Sequence, residues 1–169
     1  MKKNLILLFI ILLLPACYHI SQGGSSSIKD NMAPVAVPIF KNTTDLEGIE
    51  VPVTEAVIRK VSRYGADKVV SVEKARTIID GTVIGYNLSS AAIDSRHKVV
   101  EYKLSITLKV SVTDARDNEV LYKNDSFVGS YDFKVPRDSV DRKREEGRAL
   151  EYLSEKMASE LVTEVYEGF

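Results

Sequence analysis

Val99-Val100-Glu101-Tyr102-Lys103-Leu104-Ser105-Ile106-Thr107-Leu108-Lys109-Val110-Ser111-Val112-Thr113 decides the fold. Val100, Tyr102, Leu104, Ile106, Leu108, Val110 and Val112 are apolar or aromatic, and every residue between them is polar. Period two without a break predicts a strand with one buried face and one wet face. At roughly 3.4 Å per residue it would reach about 50 Å, which is long for a single domain. The even-numbered face is the one to bury. A slip of one residue would exchange the faces, so the register is strongly specified.

Asp114-Ala115-Arg116-Asp117-Asn118 reads as the turn after this strand, and Val120 to Phe133 as its returning partner. The apolar residues of the partner change parity between Tyr122 and Phe127, which places a bulge near Asn124-Asp125. Upstream, Thr77 to Leu88 is a third strand with Gly81 and Gly85 inside it. Interior glycines point to the close approach of another backbone or to a bulge. Two shorter apolar runs, Val35 to Phe40 and Lys68 to Val72, also read as strands. Pro38 removes a ladder donor, so the first run belongs at a sheet edge or a bulge.

Two helices are available to cover the buried face. Ile49, Val53, Val57, Val61 and Tyr64 form one stripe, with Pro52 in the first turn and Gly65 after the last. Leu150, Leu153, Met157, Leu161 and Val165 form another, with Ala158 and Val162 beside it. That helix follows Pro136, with Asp138 or Ser139 as its cap, and Gly147 weakens its early turns. The expected fold is a two-layer α+β sandwich. A mostly antiparallel sheet carries two helices on one face, in the order β-α-β-β-β-β-α. A transmembrane barrel would need at least about eight long strands, and too few are present.

The amino terminus sets the compartment. Lys2 and Lys3 precede an uncharged run from Leu5 to Leu14, then Pro15, Ala16 and Cys17, the single cysteine. A basic start, a short apolar run and a small residue before the cut make a secretory signal peptide. The run is too short for a membrane span, which takes about 20 apolar residues. Leu14-Pro15-Ala16-Cys17 resembles a bacterial lipobox, which implies cleavage after Ala16 and acylation of Cys17. Two or more acyl chains make a stable anchor where one is marginal. Tyr18 takes the place of the Asp that retains such proteins in the inner membrane, so the expected destination is the periplasmic leaflet of the outer membrane. The expected organisation is a signal peptide over 1–16, a lipidated Gly/Ser-rich tether over 17–33 and one domain over 34–169.

Bulk numbers narrow the function. The chain carries 23 basic and 24 acidic side chains, and losing Lys2 and Lys3 leaves a formal charge of −3. That balance gives no reason to expect nucleic acid as a partner. Two histidines and one acylated cysteine argue against a metal site and a disulfide. His19 lies in the tether and His97 in a turn. No serine has a nucleophile-elbow context and no glycine loop matches a phosphate cradle, so neither an enzyme nor a cofactor is expected.

Cys17-Tyr18-His19, Val35-Ala36-Val37-Pro38-Ile39-Phe40-Lys41-Asn42-Thr43, Gly48-Ile49-Glu50-Val51-Pro52-Val53-Thr54-Glu55-Ala56 and Glu119-Val120-Leu121-Tyr122 together resemble the LptE-type lipopolysaccharide-assembly lipoproteins. The resemblance covers nearly the whole mature chain in the same order of elements. It implies a lipoprotein that plugs the large outer-membrane barrel LptD, touches lipopolysaccharide directly, and helps insert it into the outer leaflet. Within the loop from Ser89 to Lys98, Arg96 and Lys98 are then the candidate contacts for lipopolysaccharide phosphates. The plainer reading of these cations is a solvated turn that keeps a hairpin soluble. A competing role for the whole protein is a periplasmic-facing regulatory or adaptor lipoprotein, of the cell-wall-synthase-activator or curli-secretion type.

Overall fold

The computed structural model describes residues 32–64, 69–95, 97–134 and 139–167. The signal peptide, Cys17, the tether through residue 31, Gly65, Lys68, Arg96, Pro136 and Asp138 lie outside them. The fold is α+β, with a mostly antiparallel five-stranded sheet and two helices.

Strand β4 (Val99–Asp114) is the spine. Leu104, Ile106, Leu108, Val110 and Val112 are each at most 1% exposed, so the even-numbered face is the buried one. Strands β3 (Thr77–Ile93) and β5 (Val120–Lys134) flank it antiparallel. Strands β1 (Val35–Ala36) and β2 (Lys41–Asn42) pair with β3 in parallel, reaching only Thr77–Ile78 and Thr82–Val83. Of the run Val35–Phe40 only Val35–Ala36 is strand; pairing stops before Pro38 and resumes past the run, at Lys41–Asn42.

Both flanking strands carry one extra residue at nearly the same level of β4. On β3, Val83 faces Leu108 and Gly85 faces Thr107, leaving Ile84 unpaired. Before this bulge Ile79 and Val83 point into the core; after it Tyr86 and Leu88 do. On β5, Asn124 faces Val110 and Phe127 faces Leu108, so Asp125 and Ser126 together oppose Lys109. The β5 parity change thus falls within a residue of the position expected from its apolar pattern. Gly81 admits a close approach of a different kind from the one anticipated: the ring of Phe40, a side chain, fills the space a Cβ would take.

Three boundaries differ from expectation. The run 68–72 forms a single bridge, Val69 to Val35, and then a 3-10 turn at Val72–Lys74. Strand β3 continues to Ile93, so most of the supposed loop from Ser89 is ladder. Met32 is buried in the core, two residues ahead of Pro34.

Helix α1 (Glu50–Tyr64) buries Val53, Val57 and Val61, with Ile49 just before it. Thr54 fixes its entry: its hydroxyl donates to the Glu50 carbonyl (2.6 Å) and accepts the Phe40 amide (3.0 Å). Helix α2 (Ser139–Glu167) buries Leu153, Met157, Leu161 and Val165 against β5 and α1. Arg59 of α1 meets Glu155 of α2 at 2.7 Å. Two tyrosines pin α2 to the sheet, Tyr86 donating to Glu146 and Tyr122 to Glu164, both at 2.6 Å.

The β4–β5 turn closes around Asp114. Its carboxylate accepts from the Arg116 guanidinium (2.6 and 3.0 Å) and from the Arg116 amide (2.9 Å). Those hydrogen bonds hold the Asp114 carboxyl well below the ordinary carboxylate range, with the Arg116 and Arg76 charges adding to the effect.

Candidate functional site

Residues 94–98 connect β3 to β4 at the end of the sheet far from β1 and β2, and 94, 95, 97 and 98 are described. The Asp94 amide donates to the Lys98 carbonyl (2.8 Å) and the His97 amide to the Asp94 carbonyl (3.0 Å). His97 takes the left-handed conformation, with φ 58°. The Asp94 carboxylate accepts the Lys98 amide at 3.0 Å, which ties the turn without engaging the Lys98 ammonium. Lys98 is exposed and makes no ion pair with any described residue. Arg96, its expected companion, lies outside the described residues. The tip is also apolar at one point, since Ile93 is 63% exposed.

More cations gather at this end than the turn itself supplies. Lys134 closes β5 opposite Glu101, and the chain then enters α2, whose first turns expose Arg142, Lys143 and Arg144. Tyr86–Glu146 holds that part of the helix against β3. The run Arg142-Lys143-Arg144 is visible in the sequence. Its placement toward the same end of the sheet is not, because it depends on where α2 begins after β5 and on the Tyr86–Glu146 contact. Nearby carboxylates moderate the field: Glu145 accepts from Arg148 at 2.8 Å and lies 3.9 Å from Arg144.

The sheet face away from the helices is mostly polar, with Val128 exposed on it opposite Thr107. Along β4, Lys103 stands between Ser89 of β3 and Asp132 of β5, Ser105 between Asn87 and Ser130, and Ser111 between Asp80 and Lys123. Cross-strand ion pairs join Lys109 to Asp125 (3.4 Å) and Lys103 to Asp132 (3.9 Å). Lys123 also reaches Asp125 at 2.8 Å, and these two lysines lower the carboxyl's proton affinity, Lys123 most. Such a face suits water or polar protein surface rather than acyl chains. No helix among the described residues is long and apolar enough to cross a membrane.

The fold recurs in solved structures at low sequence identity. A Caulobacter crescentus lipoprotein superposes with TM-score 0.56 at 8% identity, covering 81% of this chain and 91% of that one. Lipoprotein B from Nitrosomonas europaea gives 0.56 at 15% identity, covering 80% and 83%. Rare lipoprotein B from Shewanella oneidensis gives 0.50 at 13%, covering 76% and 91%. These likenesses establish the fold. Comparison with curated protein sequences finds no match. The family model for LptE, lipopolysaccharide-assembly, matches residues 32–165, from the first described residue to the last turns of α2. The chain belongs to the LptE family.

Proposed function

We propose that this protein is an outer-membrane lipoprotein, anchored through Cys17 on the periplasmic side, that plugs and helps assemble a β-barrel lipopolysaccharide translocon of the LptD type. The observation that carries the reading is the family match across the whole folded domain, 32–165. The lipobox-like Leu14-Pro15-Ala16-Cys17 supports the anchor. The polar sheet face fits the water-lined lumen of a large barrel, where a plug meets hydrophilic wall rather than lipid tails. Arg96 and Lys98, with the exposed Arg142, Lys143 and Arg144 near the same end, are suited to meet lipopolysaccharide phosphates by charge-assisted hydrogen bonds. The protein's part is scaffolding and ligand contact, with no bond-making step.

Affinity purification of the tagged, lipidated protein from outer membranes tests the reading. A large β-barrel protein should co-purify in stoichiometric amount. Recovery of a peptidoglycan synthase in its place would overturn the plug and favour the adaptor role.

A further inference from the structure

One edge of the sheet is left open in an unusual way. Strand β2 pairs with β3 only as far as Val83, where the Thr43 amide (3.0 Å) and hydroxyl (3.1 Å) both donate to the Val83 carbonyl. The chain then turns away. From Ile84 to Ile93 no described strand covers that side of β3. Natural sheets blunt free edges with charges, prolines or bulges. The opposite edge, β5, follows the rule with Lys123, Asp125, Asp132, Lys134 and a bulge. The β3 edge has neither of the first two devices: between Asp80 and Asp94 there is no charged residue and no proline. Its first bulge sits at the start of the open stretch, beside the last residue of β2, and the ladder stays regular from Gly85 to Ser90 before shifting again near the tip, at Ser90/Ala92 and Ala92/Ile93.

A second feature lies at that same point. A cleft of about 490 Å³ opens between the loop Thr43–Leu46 and the bulge Ile84–Tyr86. Asp45 is its single charged residue; it is exposed and makes no ion pair with a described residue. An open edge supplies main-chain hydrogen bonds to an added strand, and an adjoining cleft selects a side chain.

We propose that the Ile84–Ile93 edge of β3 accepts an extended segment of a partner protein, with a basic side chain of that segment seated in the cleft against Asp45. The partner strand continues the line of β2. Its side chains alternate: apolar ones lie beside Tyr86 and Leu88, and small polar ones beside Asn87 and Ser89 on the wet face. It carries no other charge, because the edge offers none to meet. This assignment is independent of the translocon reading and stands on the sheet geometry alone.

The probe is the peptide acetyl-Arg-Thr-Val-Thr-Val-Thr-Val-Thr-Arg-amide, with basic residues at both ends so that either strand direction reaches the cleft. The full lipidated protein in detergent micelles is titrated with it and followed by hydrogen exchange. Saturable binding should slow exchange across Ile84–Ile93 and leave Val120–Lys134 unchanged. Asp45→Asn, or a peptide with Glu at both ends, should weaken binding by about two- to five-fold, the range an exposed ion pair carries. No slowing at Ile84–Ile93 under excess peptide would overturn the docking edge. Equal affinity for the two peptides would overturn the basic anchor. Slowing that grows with protein concentration in the absence of peptide would assign the edge to a second copy of the chain.

Discussion

Gly129 of β5 lies directly beneath Met157 of α2: a Cβ on the glycine would overlap the Met157 side chain and come within 3.1 Å of Leu153. The helix therefore sits as close to the sheet here as a bare backbone allows. Gly129→Ala should lift α2 and cost about 1–3 kcal/mol, the usual range for overpacking. Gly147 offers the opposite case, since a Cβ there meets nothing. Gly147→Ala should stabilise α2 by about 0.5–1 kcal/mol through backbone entropy. Denaturant melts of the two variants should therefore move in opposite directions.

Ile106 is fully buried while Thr107, one residue on, faces the polar side of the sheet. Ile106→Asp should cost several kcal/mol, because it buries an unpaired charge beneath the helices. Thr107→Asp should be mild. Equal loss in thermal melts would contradict the face assignment.

The Tyr122 hydroxyl is held mostly by burial, and then by its bond to Glu164, so that its pKa is pushed up to about 12. A raised pKa favours the protonated form in the folded state. The contribution is complete below the unfolded value of about 10 and fades as pH climbs through about 12. Tyr122→Phe should accordingly destabilise at pH 7–9 and converge with the parent above pH 12. Absorbance titration at 295 nm should lose one late-ionising tyrosine in the variant.

Cys17→Ala should abolish lipidation and outer-membrane retention, as no other anchor is apparent in the sequence. Metabolic palmitate labelling checks it: the variant band should be blank. Labelling equal to the parent would remove the lipoprotein assignment.

Arg96→Ala combined with Lys98→Ala should leave the melting temperature and barrel association intact. Lys98 is exposed, with its ammonium free of described partners. Lipopolysaccharide binding should fall, most visibly at low ionic strength, since exposed phosphate contacts are screened within about 8 Å at 0.15 M salt. Unchanged binding at low salt would take this turn out of ligand recognition and leave the scaffold role alone.

How much could be read in advance depended on how far side-chain pattern alone determined pairing. The alternation from Val100 to Val112 revealed β4, its register and its buried face, because each residue there answers to one neighbour above and one below. The β5 bulge was legible for the same reason, as the apolar set of that strand visibly changes parity. The β3 bulge was legible only as one alternative raised by its interior glycines, and it falls at Gly85; Val83 and Ile84 are both apolar, so the pattern does not say which is supernumerary. The last turns of β3 were also hidden, because Ser89-Ser90-Ala91-Ala92 have weak strand preference and are ordered by pairing with Lys103, Tyr102 and Glu101. The run 68–72 failed in the other direction, being apolar enough for a strand but offered only one partner, at Val35. At the candidate site, Lys98 was singled out from sequence and is exposed in the turn, whereas weighing the basic first turns of α2 needed the tertiary placement that sets them toward the same end.

The paired bulges have an evolutionary corollary. Strand β4 keeps an unbroken alternation, while β3 and β5 each spend one spare residue at almost the same height beside Thr107–Lys109. Elsewhere in either strand, deleting a residue would turn every later side chain to the wrong face. At Ile84 or Ser126, a deletion converts two-against-one into one-against-one, so every later residue keeps its present partner on β4 and its present face. These two positions are therefore where descendants of this sequence can lose a residue in a single genetic step and still present the same two surfaces of the sheet.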